Sequence, residues 1–188
     1  MGVPPVRGSH PRVPSRRLGE PAVLSGSGSR PRGIVTALRP LASSDAPAIR
    51  RIYSGTAVTF LGRPEMTDPE AEEYVVRVRE WAAADPIEQY ILGVDIGGDL
   101  VGVVKLGRRP GGHGRLSYVV RGDCWDRGYA TSAVRDLVVF AFTTAGLESL
   151  GAKHHPGNPA SGRVLTKAGF TRLGIRHGMI EYHLTDRP

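Results

Sequence analysis

The sequence has a single cysteine, Cys124, among its 188 residues. No disulfide can therefore form within the chain, and no cysteine-rich metal site can be assembled. No metal is expected, and a reducing, cytoplasmic setting fits this composition. Long apolar runs are missing too. The longest, Leu137 to Phe142, falls well short of the roughly 18–20 residues that cross a bilayer, so no membrane partner is expected. Aromatic residues make up 6% and do not interleave with basic ones in the manner of a nucleic-acid-binding surface. What is present, 40% hydrophobic and 23% charged residues, is the usual material of one well-buried core.

Acids are scarce at the N-terminus. Residues 1 to 33 hold six arginines (Arg7, Arg12, Arg16, Arg17, Arg30, Arg32) against Glu20, and so carry +5 of the net +7. The segment is dense in Pro, Gly, Ser and Arg and lacks apolar periodicity, so it cannot bury enough surface to offset the entropy of ordering it. The expected organisation is a disordered tail over 1–33 and one domain over 34–188. Arg16-Arg17 precedes no apolar run, which rules against an export signal. Attraction to phosphate polymers would reside in the tail, and a nucleic-acid-binding protein acting through it is one rival reading. Removing residues 1 to 33 is expected to leave the melting temperature unchanged, which a thermal melt of the truncated chain checks.

From Ile34 the texture changes. Ile34 to Leu38 is a short β-prone run. Ser44 or Asp45 can cap a helix with Pro47 in its first turn, and Thr67 or Asp68 a second with Pro69 just inside. Gly55 to Pro64 between them is irregular. Tyr90 to Ile96, Leu100 to Leu106 and Leu116 to Val120 read as strands joined by the Gly97-Gly98 and Gly111-Gly112 turns. Ala130 to Ala145 has the spacing of a strong helix, with Leu137, Val138 and Ala141 on one side. Ser149 to His154 reads as a strand, Asn158 to Lys167 as a short helix, and two strands close the chain. The order β-α-α-β-β-β-α-β-α-β-β is a mixed α+β arrangement.

Between the third meander strand and the long helix lies Trp125-Asp126-Arg127-Gly128-Tyr129-Ala130-Thr131. Gly128 permits a tight turn, and the first amides of the following helix lack intrahelical partners, so a pyrophosphate fits there. No Gly-Lys-Ser/Thr follows, so this is not a Walker A loop. Twenty-seven residues after Thr131 begins Asn158-Pro159-Ala160-Ser161-Gly162-Arg163-Val164-Leu165-Thr166-Lys167-Ala168-Gly169-Phe170. The two segments together resemble the GNAT superfamily of acyl-CoA N-acetyltransferases, which pairs an R/Q-x-x-G-x-G/A loop with a later N-x-x-S-x-x-x-L-x-K-x-G-F segment. The spelling W-x-R-G-Y-A-T is most similar to the branch that acetylates the N-terminal alanine of ribosomal proteins. The resemblance spans about Leu38 to Leu184.

It implies a mostly antiparallel central sheet of about seven strands flanked by about four helices, with two strands splayed at an acetyl-CoA site. The loop amides of Arg127, Gly128, Tyr129, Ala130 and Thr131 would hold the pyrophosphate, and the backbone of Val119 and Val120 the pantetheine. Asn158, Ser161 and Arg163 would meet the cofactor from the other side. Asn158 is equally a favoured helix cap, and both roles can coexist. The implied reaction carries an acetyl group from acetyl-CoA to a primary amine, on a small molecule or a peptide N-terminus, by direct attack in a ternary complex. A homodimer is compatible with this reading.

Acyl transfer to an amine needs a neutral amine, donors for the developing oxyanion and a proton for the thiolate. Relatives often place a tyrosine acid where this chain has Leu165, and a glutamate base where it has Arg115 and Ser117. Replacement proton carriers are Tyr118, Asp123, His154 and Glu181, with His113 and His155 behind them. Adjacent histidines on a strand point to opposite faces, so at most one of His154 and His155 should face the site. Cys124 adjoins the loop and raises a ping-pong alternative. Glu65, Asp68 and Glu88 could hold a cationic amine. A catalytically silent acyl-CoA-binding module is the second rival, since the usual acid and base are both missing.

Overall fold

The computed structural model describes residues 36–185. The expected tail, the first two residues of the expected domain and the last three residues of the chain lie outside them. The described elements are β1 (Ala37–Arg39), α1 (Ala46–Ile52), α2 (Asp68–Ala83), β2 (Gln89–Ile96), β3 (Asp99–Arg109), β4 (His113–Val120), α3 (Tyr129–Thr143), β5 (Ser149–His154), α4 (Pro159–Lys167), β6 (Thr171–Arg176) and β7 (Met179–Thr185). Short 3-10 turns occupy Ser43–Asp45, Gly55–Val58 and Gly122–Cys124. The strands form one seven-stranded sheet in the order β1-β2-β3-β4-β5-β7-β6. Among the described residues every neighbouring pair is antiparallel except β4 and β5. This is the expected mixed α+β architecture.

Local chemistry explains most boundaries. Thr67 caps α2 reciprocally with Glu70: the Thr67 amide donates to the Glu70 carboxylate at 2.7 Å, and the Glu70 amide to the Thr67 hydroxyl at 3.4 Å. Asp45 behaves otherwise than expected and does not cap α1 with its side chain. Its carboxylate accepts from the Ala42 amide at 2.7 Å and from Arg39 at 2.7 and 3.0 Å. The Arg39 guanidinium, foremost, holds it below the usual carboxylate range. Strands β3 and β4 extend past the apolar stretches that marked them, to Arg109 and His113. That end of the hairpin is exposed at Arg108, Arg109 and His113, so it pairs without needing apolar side chains.

The sheet separates two cores. One, beneath α3 and α4, includes Val104, Leu106, Leu116, Val120, Leu137, Leu150 and Leu165. The other, beneath α1 and α2, includes Ile49, Ile52, Tyr74, Val75, Ile91 and Val103. Side-chain alternation along β4 sends Leu116, Tyr118 and Val120 to the first core and Val119 to the second. The strand therefore offers different residues to its two faces.

Candidate acyl-transfer site

The β4–β5 pair is short. Its register runs His113↔Ser149, Gly114↔Leu150 and Arg115↔Gly151 and then stops. Beyond Arg115 the strands part, so residues 116–120 face a gap. The Glu148 amide donates to the Gly112 carbonyl at 2.8 Å on one edge of this segment, and the Arg121 amide to the Val101 carbonyl at 2.9 Å on the other. By strand alternation, the even-numbered residues of β4 turn their backbone groups toward β5 and the odd-numbered ones toward β3. Tyr118 and Val120 thus face the gap, whereas the backbone of Val119 is turned to β3, where it pairs with Val103. The Val120 carbonyl already accepts the Trp125 indole N–H at 2.8 Å, which ties the following loop to the strand end.

That loop turns into α3 through Gly128, whose φ of 78° lies in the left-handed region. Asp126 also has positive φ, at 58°. The i→i−4 ladder of α3 begins with the Ser132 amide donating to the Gly128 carbonyl at 3.0 Å. The Tyr129, Ala130 and Thr131 amides precede it and project from the positive end of the helix.

Across the gap, Asn158 caps α4: its side-chain oxygen accepts from the Ser161 amide at 3.1 Å. The Tyr118 hydroxyl reaches over from β4, donating to the Ser161 carbonyl at 2.9 Å and lying 2.7 Å from the Ser161 hydroxyl. Burial pushes the Tyr118 phenol up to about 12. His154 is buried, its Nε2 lying 3.3 Å from the Tyr182 hydroxyl. Gly162 makes room for that pair, since a Cβ there would come within 2.8 Å of His154 Nε2 and 2.9 Å of the Tyr182 hydroxyl.

These parts enclose a cleft of about 620 Å³. On the α3–α4 side it is lined by Tyr118, Val120, Gly128 to Thr131, Asn158, Ser161 and Arg163; on the α1–α2 side, by Phe60, Arg115, Ser117, Val119 and Lys153. The cleft therefore passes through the sheet at the β4–β5 gap. A second hollow of about 510 Å³ lies behind α4 and shares His154, Arg163 and Lys167 with it.

Residues 36–171 match the family described as the acetyltransferase (GNAT) domain. The chain belongs to the GNAT acetyltransferases. It is accordingly an acetyl-CoA-dependent N-acetyltransferase. A similar curated protein is the uncharacterized N-acetyltransferase YoaA of Bacillus subtilis, 27% identical over 147 residues, which are 73% of this chain and 80% of YoaA. Among solved structures, Mycobacterium smegmatis RimJ in complex with CoA-disulfide superposes with a TM-score of 0.68 at 22% identity, covering 81% of this chain and 82% of that one. RimL, a ribosomal L7/L12 α-N-protein acetyltransferase in complex with coenzyme A, gives 0.69 at 15% identity, covering 80% and 93%. At such identities the two superpositions speak for the fold.

In this GNAT cleft the structure brings together the anticipated cofactor-facing residues Val119, Val120, Gly128, Tyr129, Ala130, Thr131, Asn158, Ser161 and Arg163, with Tyr118 and His154 among them. Arg127, exposed in the loop, is outside the lining. Asp123 and Glu181 are outside it too. Asp123 is ion-paired to Arg121 at 2.6 Å, which lowers its pKa and makes it a weak base. Glu181 faces Arg176 at 3.8 Å. His154 and His155 both line the cleft; β5 ends at His154, so strand alternation does not govern the second histidine. Phe60 was hidden in the irregular segment. Its ring stacks on His155 with centroids 5.6 Å apart and planes at 24°, folding the α1–α2 connection over the mouth. No single stretch of sequence pairs those residues, so only their aromatic character hinted at a contact.

Leu165, in the position where relatives often carry a tyrosine, is fully buried in the α3–α4 core. Cys124 is 5% exposed, and burial raises its thiol pKa. Among the described residues no helix is long and apolar enough to cross a membrane.

Proposed function

We propose that this GNAT protein transfers an acetyl group from acetyl-CoA directly to a primary amine while both occupy the cleft. The observation that carries the reading is the single cavity opening to both faces of the sheet at the β4–β5 gap. The residues present fit an acyl-CoA. The Tyr129, Ala130 and Thr131 amides suit its pyrophosphate, and the gap-facing backbone of Tyr118 together with the Val120 amide suits its pantetheine amides. Arg163 and Lys167 line the same side and add positive charge. Bound acetyl-CoA supplies an activated thioester.

The chain's own residues then have three tasks. The cleft orients the amine against the acyl group, and such positioning can account for most of an acceleration. The Tyr118 hydroxyl is the proton donor we assign to the sulfur, because it stands in the cleft and is held there by Ser161. Burial, which raises its pKa, weakens it as an acid, so the assignment rests on its position. The amine arrives by way of the α1–α2 side, where Ser117 and Lys153 line the opening. The mouth is exposed at Arg115, Ser117, Lys153 and His155, and the acceptors this reading allows are a small-molecule amine and a peptide N-terminus. Release of free thiol from acetyl-CoA across a panel of amines tests the reading; a protein that binds acetyl-CoA yet turns over no amine would be the silent module instead.

Direct transfer has a further consequence. A buried thiol with a raised pKa is a poor nucleophile. Cys124→Ala should keep most of the activity, and intact-mass analysis after incubation with acetyl-CoA alone should show no acetylated enzyme. A Cys124 adduct that chases to product at the rate of turnover would replace direct transfer by a ping-pong scheme.

A further inference from the structure

The α1–α2 side of the cleft is cationic. Arg115 is the last β4 residue paired with β5, at the apex of the gap, and Lys153 lies two residues beyond its partner Gly151. Two residues on one strand face advance roughly 7 Å. Both side chains line the cleft, and both are exposed. Neither has an ion pair among the described residues. Lys105, opposite Ser117 in the β3–β4 register, adds a third cation on this face, its Nζ lying 5.6 and 5.0 Å from the Tyr53 and Tyr74 ring centroids.

Carboxylates are missing from the same place. Among the described residues the cleft lining holds one, Asp126, in the loop on the opposite side. The acids that might have received a cationic amine are engaged elsewhere. Glu65 accepts from the Gly55 amide at 2.9 Å, Asp68 pairs with Arg50 at 3.0 Å, and Glu181 faces Arg176. Glu88 is exposed and outside the lining. A polyamine entering here would meet like charge with no counter-ion, which disfavours it. An acceptor with its own anionic group would instead gain charge-assisted hydrogen bonds from a guanidinium fork.

We infer that the acceptor is an amine carrying a carboxylate close to the reacting nitrogen, and that Arg115, assisted by Lys153, reads that carboxylate. This rests on the acetyl-transfer reading and names its substrate class. The chemistry is shared by a free α-amino acid and by a peptide N-terminus followed by an acidic residue.

The test pairs each acid with its uncharged twin on the full-length protein: L-alanine against L-alaninamide, and Ala-Glu-Ala-amide against Ala-Gln-Ala-amide, with spermidine as the cationic comparison. The expected result is a kcat/KM at least about tenfold higher for the acid in one pair, and that pair identifies the source. Calorimetry with the N-acetylated products of the same pairs, on CoA-loaded protein, should show the same order without turnover. Arg115→Gln should collapse the acid-to-amide ratio toward one, Arg115→Lys should retain part of it, and Lys153→Gln should lower it independently. Equal use of acid and amide in both pairs, or a preference for spermidine, overturns the inference while leaving acetyl transfer standing. Acetyl-CoA binding without turnover of any amine overturns the transfer reading and this inference with it.

Discussion

Gly128→Val is expected to weaken acetyl-CoA binding by about ten- to a hundredfold. The φ of 78° at Gly128 is a conformation that costs an L-residue roughly 1–2 kcal/mol, and β-branching makes it worse. The chain can relieve that strain by re-aiming the turn, which moves the Tyr129, Ala130 and Thr131 amides off a common point. A valine side chain would also stand where, on the proposed reading, the pyrophosphate approaches the backbone. Calorimetric titration with acetyl-CoA measures the loss, and a thermal melt separates it from unfolding. Equal affinity in the two proteins would remove the loop from the binding site.

Tyr118→Phe should lower the chemical step by about 10² while leaving acetyl-CoA affinity within a few-fold, since only a hydroxyl is removed. The direction of its pKa shift sets the pH behaviour. A phenol raised to about 12 stays protonated throughout the working range, so the donor form is always present. The wild-type rate should then rise with pH as the amine substrate loses its proton, with no falling limb from the tyrosine below pH 10. Stability follows the same sign. The folded phenol holds its proton more tightly than an ordinary one near 10, so this contribution is full below pH 10 and lost as pH climbs through 12. The phenylalanine variant should lack that alkaline loss. A loss of less than about tenfold in the single-turnover rate would instead assign the acceleration to positioning.

Features governed by near neighbours in the chain were legible in advance. A helix cap at Thr67 or Asp68, the Gly97-Gly98 and Gly111-Gly112 turns, the glycine at position 128 and the Asn158 cap each depend on residues within a few positions of one another, and the structure settles the first on Thr67 paired with Glu70. Apolar periodicity likewise marked α3, because one face of a helix is visible in its sequence. Where local signals failed, a distant partner had intervened. Asp45 had the composition of a cap for α1, but Arg39 on β1 and Asp45 pair instead. Asp123 had the look of a free base beside the loop, but Arg121 holds it outside the cleft.

The sequence by itself therefore determined the order of elements, the loop at Gly128 and the family to which both motifs point. Only the tertiary structure decided how the site is divided. The end of β4–β5 pairing at Arg115 and Gly151 opens the cleft, and the register against β3 turns the backbone groups of Tyr118 and Val120, rather than those of Val119, toward the gap. Phe60 meets His155 across 95 positions of chain, and Lys153 joins Arg115 from another strand. The physical reason is separation. Propensity, capping and turn geometry act over a few residues, whereas strand register and the charge balance of a cleft are sums over side chains that folding alone brings together.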